Sequence, residues 1–549
     1  MIRTPAWVLA CLGLALPLLI PVAVVAASVF APAGDAWAHM VSTVLPGYVT
    51  TTLILMAAVL VGVCLVGVGT AWCVTAFQFP GRRVLEWALL LPLAVPSYVI
   101  AYAYTDWLQF SGPVQTWIRE VAGWQRGDYW FPEIRSVGGA AAMFIFVLYP
   151  YVYLLTRVAF IEQSPSLAEA GRTLGLSGRA TFFRLSLPMA RPAIAAGAAL
   201  ALMEMLSDFG TVSYFGVQTF TTGIFRAWLS MGEPELAAKL AMILLVFVGA
   251  VIALERFARR RARFDDPQRK ARRNPRVLRG PAAAAAFGAC AAPLLAGFVL
   301  PAILLARMSL TSGDAQFGLR FARLASNSAT LAAITAVLAV ALALLLAYGA
   351  RISRSPLAAG VNRMAALGYA VPGAVIAIGV LIPATRIDQA LAEAGIASRV
   401  VLTGSIAMLV YAYLIRFLGV ALQSVEAGLA RVTPHMEDAA RSLGMGAGAT
   451  LARVHAPMLR SSLVTAALLV FVDVMKELPA TFVMRPFNFD TLAVQAYNLA
   501  ADERLAEAST ASLAIVAVGL LPVILASRRL VRPEATKRAA AGAAALSRA

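Results

Sequence analysis

An all-α polytopic membrane protein, about twelve spanning helices arranged as two parallel six-helix repeats, is the fold class that the sequence predicts. Three observations lead to it. Of 549 residues, 60% are hydrophobic and only 13% charged, with a mean hydropathy of +0.78, whereas a soluble globular chain carries roughly 25% charged residues. Apolar runs long enough to cross about 30 Å of hydrocarbon, which takes roughly 20 helical residues, recur along the whole chain. Finally, the second half of the sequence repeats the first at a nearly fixed offset.

Marking apolar runs bounded by Arg, Gly and Pro places span starts near Trp7, Val49, Val84, Gly139, Arg191, Leu236, Pro281, Asn327, Ala359, Val400, Leu459 and Ala506. The first run, Trp7 to Phe30, exceeds the roughly 7 to 15 residues of a signal-peptide core and is expected to stay as a helix. Arg82-Arg83, Arg172, Arg179, Arg184, Arg256 to Arg279, Arg351, Arg354, Arg441, Arg453 and Arg528-Arg529 then fall on one side. Short basic loops resist translocation, so that side, with both termini, is expected in the cytoplasm of a cell inner membrane. The expected organisation is a first repeat over 1–255, a basic cytoplasmic linker over 256–280, a second repeat over 281–530 and an Ala-rich cytoplasmic tail over 531–549.

The formal charge of +18 is carried by these short segments rather than by a soluble basic domain interleaved with aromatics, so no nucleic-acid partner is expected. The loops favour anionic membrane lipid instead. Cys11, Cys64, Cys73 and Cys290 lie inside apolar runs without metal-ligand spacing and read as small packing residues. His39, His435 and His455 read as surface polar groups. Trp107, Trp117, Trp124 and Trp130 crowd one outer loop, where interfacial anchoring is the ordinary explanation and docking of a partner the alternative.

The repeat is carried by Ser166-Leu167-Ala168-Glu169-Ala170-Gly171-Arg172-Thr173-Leu174-Gly175, which matches His435-Met436-Glu437-Asp438-Ala439-Ala440-Arg441-Ser442-Leu443-Gly444 at an offset of 438 − 169 = 269. Without a gap, Pro188 falls on Pro457, Glu204 on Asp473 and Asp208 on Glu477. Upstream, Ala94-Val95-Pro96 matches Ala370-Val371-Pro372 at an offset of 276. An even number of spans per copy gives both copies the same orientation.

Glu169-Ala170-Gly171, Gly175, Leu185, Leu187 and Pro188, with the second copy Asp438-Ala439-Ala440, Gly444, Val454, Ala456 and Pro457, resemble the cytoplasmic "EAA" loop of binding-protein-dependent ABC permeases. Small residues beside the acid allow close approach of a partner, Gly permits a sharp turn, and Pro suits the start of the next helix. The resemblance implies two MetI-like repeats whose coupling loops, 161–190 and 425–458, dock on two copies of an ABC ATPase. Met203-Glu204-Met205-Leu206-Ser207-Asp208-Phe209-Gly210-Thr211-Val212 and Phe471-Val472-Asp473-Val474-Met475-Lys476-Glu477-Leu478-Pro479-Ala480-Thr481 narrow the likeness to fused ferric-iron permeases. Fused thiamine permeases are the nearest alternative. A periplasmic or lipid-anchored binding protein is implied as a third partner.

Ionisable side chains inside spans are costly, so they usually face a cavity or a partner. Glu204 and Asp208 are four apart, as are Asp473 and Glu477, which predicts each pair on one helix face, lining a translocation pathway that favours a cation. Structural neutralisation by Lys476 is the competing reading. No stable metal site and no catalytic residue is expected. None of Lys239, Lys270, Lys476 and Lys537 follows a Gly, so the chain lacks a P-loop, and ATP with Mg is expected on the partner ATPase, with no cofactor on this chain. A secondary transporter also has about twelve spans but needs no duplicated docking motif.

Overall fold

The computed structural model describes residues 5–32, 34–125, 127–163, 173, 175–260, 275–311, 318–395 and 401–546. Among these, eleven helices are long and apolar enough to cross a membrane, and a twelfth segment is broken. The fold is therefore an all-α polytopic membrane protein with two internally similar helical regions. A two-residue parallel bridge, Phe77–Gln78 with Arg276–Val277, is the one exception to helix and loop among the described residues.

The first apolar run forms the helix Pro5–Ala27. The first repeat continues with Leu45–Ala76, Val137–Glu162, Leu187–Ser207 and Pro234–Arg260, and the second with Leu319–Ser353, Ile406–Leu429, Ala456–Met475 and Leu505–Leu546. Ser136 and Ser405, 269 apart, cap Val137–Glu162 and Ile406–Leu429, each accepting the N–H three residues on. The offset found downstream thus holds one span further upstream.

The third segment of the first repeat is not the single span expected near Val84. It runs as Arg82–Ala94 and Ser97–Ala122, bent by 92° at Val95-Pro96. In the second repeat Pro356–Ala366 and Gly373–Glu393 break at Val371-Pro372. Pro96 and Pro372 take extended backbone as the N-caps of Ser97–Leu108 and Gly373–Glu393. Proline holds its predecessor out of the α region and cannot continue a helix ladder, so the repeated Ala-Val-Pro marks a corner.

Sequence halves and spatial halves differ at the first helix of each. Pro5–Ala27 packs on Leu319–Ser353, Pro356–Ala366 and Gly373–Glu393, and the Cys11 thiol donates to Leu346 O at 3.7 Å. Reciprocally, the helical run Pro281–Thr311 packs on Leu45–Ala76 and Ser97–Leu108 of the first half as well as on Leu505–Leu546 of its own, and Tyr104 donates to Ala296 O at 2.8 Å. Each half thus clasps the other with its leading helix. The helix Leu505–Leu546 carries its backbone well into the Ala-rich tail.

Candidate functional site

The duplicated motif has two described parts. Glu169, Ala170 and Gly171 lie outside the described residues. Gly175 and Gly444 have φ of +71° and +76°, the left-handed region that a Cβ disfavours. Beyond each glycine a helical run begins, at Gly178 or Ala447, and crosses the membrane to Ser207 or Met475. Pro188 and Pro457 stand in the first turn of the α-helices Leu187–Ser207 and Ala456–Met475, as the sequence suggests, although each helix continues a run that starts earlier. Each follows a π-helical turn, Phe182–Ser186 or Leu451–His455. Such a turn accommodates a ring that would collide with the carbonyl four residues back.

In the second copy the helix Pro434–Ser442 carries the motif. Asp438 and Ala439 are exposed and Ala440 is buried. The anchored acid is the neighbour of the expected one: Glu437 has a side chain 10% exposed, against 64% for Asp438. Arg351 Nε donates to Glu437 Oε1 at 2.6 Å, and its other nitrogens donate to Leu429 O and Val432 O, each at 2.6 Å. His455 is not the surface group expected. It is fully buried at the end of the π-helical turn, with Nε2 3.5 Å from Glu437 Oε1 and its ring 5.0 Å from that of Tyr348.

Toward the opposite face, Glu204, Asp208, Asp473 and Glu477 all line one cavity of about 110 Å³ between the halves. They do so without sharing helix faces as expected. The helices end at Ser207 and Met475, leaving Asp208 and Glu477 just beyond. Asp208 Oδ1 accepts the N–H groups of Thr211 and Val212 at 2.9 and 3.3 Å. Glu477 accepts those of Ala480 and Thr481 at 2.8 and 2.9 Å. These carboxylates cap the short helices Gly210–Tyr214 and Pro479–Met484, a local use of side-chain oxygen that competes with continuing the preceding helix.

Residues 64–263 match the family described as "Binding-protein-dependent transport system inner membrane component". The match covers the first helical region, and the duplicated motif glycines and the paired helical regions extend the likeness to the second. The chain is a permease of the ABC-transporter type, at double length. The permease is 24% identical over 481 residues to the Fe(3+)-transport system permease protein FbpB 2 of Haemophilus influenzae, covering 87% of this chain and 88% of that one. It is 23% identical over 504 residues to the probable ABC transporter permease protein y4fN of Sinorhizobium fredii, covering 87% and 86%. The sulfate transport system permease protein CysW of Escherichia coli K12 is 32% identical over 161 residues, covering 29% of the permease and 53% of that chain.

The cavity's acids obey the repeat of the permease, but its cations do not. Lys476 Nζ lies 3.0 Å from Asp473 Oδ1 and Arg416 Nη1 lies 3.4 Å from Glu477 Oε1. At an offset of 269, Lys476 corresponds to Ser207 and Arg416 to Val147, so both cations belong to the second half. Glu204 and Asp208 are held by hydroxyls instead, from Tyr369 at 2.8 Å and Ser97 at 2.6 Å. Glycine at 373, the position matching Ser97 at an offset of 276, makes the exchange possible. A Cβ there would lie 2.3 Å from Arg416 Nη1 and 2.8 Å from Glu477 Oε1.

Sequence reasoning missed Arg416, Tyr369 and Tyr151 as cavity residues. Arg416 was detectable as an Arg inside an apolar run; the tyrosines carried no comparable signal. Next to the cavity, Phe209 stacks on Phe225 at 3.7 Å and meets Phe482 and Tyr497 at 5.7 and 5.4 Å, joining the halves by aromatic packing. Arg135 and Glu503 join them again near the ends of the spans away from the motif. In the Trp-rich loop Trp117, Trp124 and Trp130 are exposed, while Trp107 packs against the core.

Proposed function

We propose that the permease imports ferric iron across an inner membrane, with the motif face and both termini cytoplasmic, served by two copies of a partner ATPase and by a binding protein on the other side. The observation that carries the cation reading is the cavity between the halves. Four carboxylates against Lys476 and Arg416 leave it two negative charges in excess, and Tyr151 and Tyr369 add phenolic oxygens to its wall. Carboxylate oxygen suits hard cations, whereas such a wall repels a sulfate or molybdate dianion. The similarity to an Fe(3+)-transport permease, which extends over nearly the whole chain, is what favours iron among cations in this reading.

ATP binding would draw the two ATPases together, move the loops ending at Gly175 and Gly444, and open the cavity to ligand released by the binding protein. Thiamine, also cationic, is the alternative cargo. Reconstitution of the permease with its ATPase and binding protein in liposomes tests the assignment. ATP-dependent accumulation of radioactive iron is expected, and accumulation of thiamine or sulfate without iron would overturn it. Cysteine labelling at Gly444 and at Glu503 from each side tests the orientation.

A further inference from the structure

Lys476 breaks the symmetry of the permease at the place where symmetry would otherwise yield a matched ring of acids. Its counterpart Ser207 lines the same cavity but is uncharged, and its hydroxyl donates to Met203 O of its own helix at 2.8 Å. Lys476 instead sends its ammonium into the cavity, where Asp473 holds it at 3.0 Å. Its backbone carbonyl accepts the Tyr98 hydroxyl of the first half at 3.3 Å, which fixes where the side chain starts. Arg416 is anchored differently, wedged against Gly373 and aimed at a carboxylate already engaged in capping. Of the two cations, Lys476 is the one on a flexible stem, paired with an acid that holds no helix cap.

We propose that Lys476 is a tethered counter-cation that sets the charge selectivity of the pathway, resting on Asp473 until a multivalent cation displaces it. This rests on the cationic-cargo reading above. A tethered ammonium competes for its carboxylate at high effective concentration, so a free monovalent ion of equal charge does not replace it. A di- or trivalent cation also engages the excess negative charge of the first half, chiefly at Glu204, and so gains what sodium or potassium cannot. The cavity is thereby closed to the abundant monovalent ions, while Glu204, which caps no helix and accepts the neutral Tyr369 hydroxyl, stays available to a multivalent ion.

Terbium(III) luminescence, with purified permease–ATPase complex in detergent, tests this. Wild-type complex should bind terbium with an affinity little changed by added potassium. Lys476→Met should bind it roughly tenfold or more tightly, because one opposing charge is gone, and potassium should now compete. Lys476→Arg should behave as wild type. If Lys476→Met does not purify as a monodisperse complex, Lys476→Gln serves in its place. Glu204→Gln should abolish the luminescence in every background. Terbium binding that depends on Glu204 but is indifferent to Lys476→Met, with no competition by potassium, would overturn the role of Lys476 and leave the cationic cargo standing. No Glu204-dependent binding in any variant would overturn the cationic cargo itself, and this inference with it.

Discussion

Asp208 and Glu477, 269 residues apart, hold the same pair of backbone N–H groups in the two halves: Thr211 and Val212 in one, Ala480 and Thr481 in the other. One more methylene in Glu477 does not alter the role. Replacing a capping side chain by Ala costs about 0.5–2 kcal/mol, so Asp208→Ala should lower thermal stability by that amount in unfolding measurements on detergent-solubilised permease. Glu204 caps nothing and accepts only the Tyr369 hydroxyl among the described residues. Glu204→Ala should leave stability nearly intact while uptake falls. Equal destabilisation by both substitutions would contradict this division of labour.

Glu477 has a second duty that Asp208 lacks. Arg416 is largely buried beside it, and removing one partner of a buried ion pair costs about 3–5 kcal/mol because the other is left uncompensated. Glu477→Ala should therefore be the more damaging of the two capping substitutions. Adding Arg416→Val, which installs the residue found at the matching position 147, should restore part of the loss. A double variant no more stable than Glu477→Ala alone would show that the pair is not the source of the difference.

Gly175 and Gly444 adopt positive φ with open space where a Cβ would stand, so a substitution there strains the backbone without a steric clash. The strain is about 1–3 kcal/mol at each site, borne by the turn that precedes each crossing helix. Gly175→Val with Gly444→Val should preserve assembly but reduce iron uptake per ATP hydrolysed. Unchanged stoichiometry in liposomes would remove these turns from the coupling path.

Much of this was legible because duplication makes a sequence its own comparison. The offset of 269 located the motif glycines and the four acids, and the repeated Ala-Val-Pro aligned the upstream spans without revealing the corner at Pro96 and Pro372. What failed was local. Hydropathy treats a bent segment as one span, so the 92° break was not foreseen. A four-residue spacing implies a shared helix face only if the helix continues, and it ends before Asp208 and Glu477. Glu437 escaped notice because alignment assigned the motif's acid to Asp438. Which of two adjacent acids is buried depends on Arg351, 86 residues away.

That long-range anchor gives a sharp contrast. Arg351 binds Glu437 and two carbonyls at the start of the motif segment, Leu429 O and Val432 O. Arg351→Ala should loosen the helix Pro434–Ser442 and lower uptake by roughly tenfold or more, since hydrogen bonds to a charged group contribute about 1.5–3 kcal/mol. Asp438→Ala, at an exposed position, should have a smaller effect. The reverse order would assign the motif's function to direct contact by Asp438 rather than to the anchoring of the helix.

Arg135, which precedes Val137–Glu162, grips Glu503, which precedes Leu505–Leu546, and so links the halves far from the motif. Its guanidinium donates to both carboxylate oxygens at 2.6 and 2.7 Å and to the Tyr214 hydroxyl at 3.1 Å, and stands 4.9 Å from the Tyr214 ring. Arg135 holds the Glu503 carboxyl below the ordinary carboxylate range. The contact therefore contributes fully above the ordinary carboxyl pKa and is lost as pH falls through the lowered value. The Glu503 side chain is 57% exposed, so solvent limits the contribution to below about 1 kcal/mol. Opening the cavity toward this face must part the two residues, because they belong to different halves. Glu503→Gln should shift the resting population toward the open state by at most about fivefold. Spin labels flanking the contact should report a longer distance for that variant at neutral pH, and wild type should approach the same distance on acidification. A distance unaffected by either change would mean that opening of this face does not separate Arg135 from Glu503.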